Sequence, residues 1–135
     1  MEAGGVLCVV KSLRLVVNSG VNEFSAAVAQ GAADVLCAMC TTTAGSRDVV
    51  DAGGVAVLLD AITKFSSFEG VVELACWALR LCCKLDCGKL AVIAAAGAPV
   101  LLGAVRTYAN SRISAHATSA LSLINESNQS CVIDE

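Results

Sequence analysis

The sequence predicts an all-α fold, a solenoid of three stacked helical units covering residues 1–135. Three observations carry this: a segment that recurs at a fixed offset, a second recurring pattern with helical spacing, and a composition suited to closely packed helices. The segment GVAVLLDAI at 54–62 returns as GAPVLLGAV at 97–105, an offset of 43 with Val, Leu, Leu and Ala in register, and a weaker copy, GVLCVVKSL, starts at Gly5. Self-similarity at a period of this length is the mark of repeat architectures.

The second pattern reads Ala32, Val35, Leu36, Met39; then Ala75, Ala78, Leu79, Cys82; then Ala117, Ala120, Leu121, Ile124. Positions spaced 0, 3, 4 and 7 share one face of an α-helix, so each copy is a helix whose stripe of small and branched side chains faces a neighbour. Hydrophobic residues make up 56% of the chain and aromatic ones 4%, a palette of Ala, Val, Leu and Cys that favours helices over aromatic-stiffened strands.

Taken in order, the chain forms a single domain of units at about 1–45, 46–87 and 88–127, with 128–135 as the possible start of a further unit. The first unit holds the helix that begins near Gly5 and a long inter-helix stretch before a helix over 26–40. In the second, SRDVVDAGG is a short helical turn closed by Gly53, where helices commonly stop. GVAVLLDAI and a helix over 71–83 follow, with Ser66 and Ser67 in the loop between them. The third repeats this plan: CGKLAVIAAAGA closed by Gly97, GAPVLLGAV, the polar run TYANSRIS at 107–114, and a helix over 112–125. Each full unit is therefore a short helix followed by two longer ones.

AGGVAVLLDAI followed by ELACWALRLCC resembles the second and third helices of an armadillo repeat, and the glycine before the second helix favours that family over HEAT repeats. The resemblance implies a right-handed superhelix, a non-enzymatic scaffold role, and a concave face lined by the third helices that binds a protein or peptide partner. Outward positions in phase with Trp77 then become candidate contacts: Gln30 and Asp34, with Thr41, in the first unit; Glu73, Trp77, Arg80 and Lys84 in the second; Ser119 and Ser122, with Glu126, in the third. Exposed tryptophans often anchor interfaces.

One departure narrows the partner. Importin-type armadillo proteins grip an extended basic peptide with a Trp and, four residues on, an Asn. Here Trp77 is followed by Leu81, and the corresponding pairs are Asp34 with Ala38 and Ser119 with Leu123. The asparagine ladder is missing, which argues against recognition of nuclear localisation signals.

The two ends sit at one phase of the repeat: EAGG at the start corresponds to DAGG at 51–54, and CVIDE at the close resembles DVVDA at 48–52. Val6, Leu7, Val9 and Val10 give no polar cap. The chain is expected to be part of a longer array and to self-associate through its ends, because an uncapped terminal layer is a template for the next unit. A self-assembling structural unit is accordingly one alternative function.

Eight cysteines form the other alternative, a metal or redox module. Cys37 and Cys40 make a CxxC, and Cys82, Cys83 and Cys87 cluster later. The pairs Cys37/Cys40 and Cys82/Cys83 fall inside third helices at or near core positions, where cysteine serves as a small apolar residue. The single histidine, His116, lies in another unit. No zinc, no cofactor and no catalytic set is expected. The glycines form neither GxxxxGK[ST] nor GxGxxG and are helix punctuation.

A net charge of −3 gives no footprint for a phosphate backbone, so no nucleic-acid partner is expected. The longest uncharged stretch, 90–105, is short of the ~20 residues a spanning helix needs. No membrane partner is expected either. A start of MEAGGVLCVV, without a basic leader, points to the cytoplasm, where the cysteines are expected to stay reduced and the Asn-x-Ser sequons at Asn125 and Asn128 have no role.

Overall fold

A computed structural model describes residues 3–109 and 111–134, with side chains described for 5–109 and 111–125. Among the described residues eight α-helices follow one another: α1 Ala3–Asn18, α2 Glu23–Met39, α3 Thr43–Asp51, α4 Gly54–Lys64, α5 Glu69–Cys82, α6 Asp86–Ala94, α7 Gly97–Thr107 and α8 Arg112–Asp134. No strand occurs among the described residues. The all-helical solenoid read from the repeat pattern is the fold observed.

The helices stack in rows. α2, α5 and α8 lie side by side, each packed in turn on a member of a second row, α1, α4 and α7. The short helices α3 and α6 pack against each other along an edge. A short, a middle and a long helix thus succeed one another twice, α3–α5 and α6–α8, after the pair α1–α2.

Local chemistry explains the breaks. Asn22 caps α2 through a reciprocal pair: its side chain accepts from the Ser25 amide at 2.9 Å, and its amide donates to Ser25 Oγ at 3.0 Å. Thr42 caps α3 by accepting from the Gly45 amide at 3.0 Å. Gly53 turns the chain from α3 into α4 with φ +83°, the left-handed region that glycine enters without penalty. At the matching turn between α6 and α7 the structure corrects the expectation: the left-handed residue is Ala96, φ 54°, rather than Gly97. Gly97 is glycine for another reason, since a Cβ there would lie 2.7 Å from both Leu59 Cδ1 and Val92 Cγ1. Gly54, its counterpart, would bring a Cβ within 2.5 Å of Val49 Cγ1. These two glycines let middle helices press against their neighbours.

The core is the sum of the facing stripes. Ala75, Ala78, Leu79 and Cys82 on α5 are all fully buried, as are Ala117 and Ala120 on α8. Phe65 is fully buried at the end of α4 and meets Phe68 edge to face, centroids 6.0 Å apart. Tyr108 occupies the same loop one unit later and donates its hydroxyl to the Ser66 carbonyl, tying neighbouring loops. The uncharged stretch 90–105 is divided between α6 and α7, bent by 88°, and no single described helix is long and apolar enough to cross a membrane.

Candidate protein-interaction surface

The exposed side of the α2–α5–α8 row gathers most of the residues singled out by phase with Trp77. Gln30 and Asp34 are exposed on α2 and, with Ala27, Gly31 and Leu74, line a shallow hollow of about 340 Å³ between α2 and α5. Gly70, on α5, faces Gln30 so closely that a Cβ would meet its Oε1 at 2.5 Å. One turn beyond Leu74, Trp77 remains 40% exposed.

The indole is fixed from α8. Its ring stacks on the imidazole of His116, centroids 5.3 Å apart and planes 4° from parallel. Arg80 Nη1 lies 3.1 Å from His116 Nδ1. Because a guanidinium can only donate, Nδ1 is the acceptor and the neutral imidazole carries its proton on Nε2. Burial, reinforced by the Arg80 and Arg112 charges against the opposing Glu73, holds His116 below the usual histidine range. Glu73, half-buried, and Arg112, exposed, approach to 3.9 Å across the same seam, a long, solvent-facing pair of small energetic weight.

Two candidates lie further along. Ser119 is half-buried and Ser122 exposed on α8. Lys84 follows the end of α5, where it shares a hollow with Arg47, Asp51 and Asp86 at the α3–α6 edge, apart from the Trp77 group. Glu126 and the tail 128–135 have side chains outside the described residues. His116 was not among the outward positions, although it lies 39 residues after Trp77, one repeat less a helical turn.

The cysteines meet across units. Cys40 Sγ lies 3.6 Å from Cys82 Sγ, an association that the CxxC spacing of Cys37 and Cys40 did not suggest. The separation of 42 residues is the repeat period, which was the available signal. Among the described residues no group of three or more His, Cys, Asp or Glu side chains converges on a possible metal position.

Residues 42–84 match the family model of the armadillo/beta-catenin-like repeat, a stretch that takes in α3, α4 and α5. This stretch is an armadillo repeat. No curated protein and no solved structure matches the chain significantly. Armadillo repeats generally mediate protein–protein contacts and are generally non-enzymatic, so the repeat at 42–84 is of an interaction-scaffold type. In armadillo terms α3, α4 and α5 are the first, second and third helices, and Trp77 stands at mid-length on the third.

Proposed function

We propose that this chain binds an extended protein segment on its third-helix face, the concave side of an armadillo solenoid, and that Trp77 is the anchor. The observation that carries the reading is the Trp77–His116 stack: an indole still 40% exposed, backed by a second ring, one helical turn along α5 from Leu74, which lines the hollow with Gln30 and Asp34. A rigid aromatic surface loses little entropy on binding and supplies large contact area. Arg80 and Glu73 stand at the same seam, Asp34 lies on the neighbouring helix α2, and Ser119 and Ser122 lie further along α8, a mixed-charge face suited to polar and aromatic side chains rather than to a run of lysines.

The test is selection from a randomised peptide display library against the purified protein, with counter-screening against Trp77→Ala and, on the α3 edge, Arg47→Ala. Binders that lose ten-fold or more on Trp77→Ala and are indifferent to Arg47→Ala support the reading. Binders indifferent to both place recognition elsewhere.

A second reading, self-association through the solenoid ends, rests on corresponding positions. Val28 and Val35 on α2 are 44% and 43% exposed, whereas their counterparts Val71 and Ala78 on α5, and Ile113 and Ala120 on α8, are fully buried. At the opposite end Leu102 on α7 is 42% exposed while its counterpart Leu59 is 3%. What covers these registers inside the stack is the adjacent unit, so a second copy offers the complementary layer. A reducing, cytoplasmic setting suits a protein with so many thiols.

A further inference from the structure

Cys40 is the C-cap residue of α2, and Cys82 is the last residue of α5. Both side chains are buried, and their sulfurs face each other at 3.6 Å across the contact between the two third helices. Among the described thiols, this pair combines a sulfur–sulfur contact with a place beside a surface pocket. Cys40 forms part of the wall of a surface pocket of about 170 Å³ with Thr42, Ser46, Leu81 and Leu85, while Cys82 lies behind it, so a small solute in the pocket reaches Cys40 first. The backbone on either side is pinned: Ser46 Oγ donates to the Cys40 carbonyl at 2.9 Å, and Gly88 sits so close to the Cys82 carbonyl that any Cβ there would overlap it. A disulfide needs the sulfurs about 2.05 Å apart, so roughly 1.5 Å of travel remains, within reach of side-chain rotation at two helix ends.

We propose that Cys40 and Cys82 are an oxidation site, at which a small hydroperoxide entering the pocket converts the two thiols into a disulfide between adjacent repeats. In the first step the Cys40 thiolate attacks one peroxide oxygen. The O–O bond breaks, the departing alkoxide or hydroxide takes a proton, and Cys40 becomes a sulfenic acid, oxidised by two electrons. In the second step the Cys82 sulfur gives up its proton and attacks the sulfenic sulfur. The S–S bond forms, the S–O bond breaks, and the oxygen leaves as water. Two thiols and one hydroperoxide thus yield one disulfide, one alcohol (water, for hydrogen peroxide) and one water.

Charge assigns the roles. The hydrogen bond from Cys82, aided by Ser46 and opposed by burial, holds the Cys40 thiol below its ordinary range. The same contact, followed by burial, pushes Cys82 well up, so it keeps its proton until the second step. Burial pushes Cys37 and Cys83 up to about 11 and Cys76 to about 12, which leaves those neighbours as thiols. The bond would fasten the third helix of one unit to that of the next at the pocket end of the row.

The experiment treats reduced protein, freed of reductant, with hydrogen peroxide, followed by alkylation of the remaining thiols and non-reducing peptide mapping. The expected product links the tryptic peptide 15–47 to 81–84. Fragmentation of that linked pair assigns the bond to Cys82 or Cys83, and to Cys40 or Cys37, in the wild-type chain, so the outcome does not depend on any variant folding. The link is expected to vanish in Cys40→Ser and Cys82→Ser and to survive Cys37→Ser and Cys83→Ser. Oxidation that halts at a Cys40 sulfinic acid, a bond through Cys37 or Cys83, or oxidation of exposed Cys8 with Cys40 and Cys82 still alkylated would overturn the proposal.

Discussion

Trp77 on α5 and His116 on α8 stack nearly parallel, 5.3 Å between ring centroids, and Arg80 donates to the same imidazole at 3.1 Å. Two adjacent third helices are thereby joined at the surface by a neutral histidine, and that neutrality gives the stack a pH dependence. In the folded chain His116 is held below its ordinary value of 6.5 by burial first and by Arg80 next. The unfolded chain therefore binds the proton more readily, and stability rises with pH through the window below 6.5 and falls on acidification. Urea unfolding across that window should show a positive slope that His116→Gln flattens. An unchanged slope in the variant would assign the acid sensitivity to other groups.

Glycine positions separate packing from propensity. Gly54→Ala should destabilise by about 1–3 kcal/mol, because its Cβ would meet Val49 Cγ1 at 2.5 Å and the Val49 carbonyl at 2.9 Å in a filled contact. Gly31→Ala, inside α2 with nothing within 4 Å of the added carbon, should stabilise by about 0.5–1 kcal/mol. Ala96→Gly should also stabilise, by up to about 1 kcal/mol, by relieving a left-handed alanine. Chemical denaturation midpoints at constant slope read all three.

End stacking makes a third prediction. The wild-type chain should form concentration-dependent oligomers by light scattering, and Val28→Lys with Val35→Glu should shift it towards monomer without loss of helicity, since both side chains lie on the exposed end face of α2. A wild-type monomer at every concentration would contradict the end-stacking reading.

The fold was legible because the period and the helical stripes reinforce each other. GVAVLLDAI and GAPVLLGAV fall on α4 and α7, and the Ala75–Ala78–Leu79–Cys82 stripe is the buried face of α5. Ala96 was hidden because alanine carries no turn signal: the geometry of the α6–α7 turn, set by packing around Gly97, places a residue without that preference in the left-handed region. The surface was legible only in part. Phase with Trp77 placed Gln30, Asp34 and Glu73 on one side, but His116 belongs to the site through a contact between helices, which single-helix phase does not encode. Lys84 shows the opposite failure, because the helix ends at Cys82 and the phase no longer holds beyond it. Cys40 and Cys82 were read as packing residues, and they are buried, yet their proximity follows from adding one period to a sequence position.

Trp77 is the single tryptophan of the chain, so its fluorescence reports on the third-helix face alone. The most direct test of the central claim is therefore a titration of the protein with a peptide selected by display, followed through Trp77 emission and, independently, through calorimetry. The account predicts a saturable change in emission whose midpoint agrees with the calorimetric affinity, and loss of ten-fold or more in that affinity for Trp77→Ala. Calorimetric binding with Trp77 emission unchanged, and with affinity retained in Trp77→Ala, would contradict it.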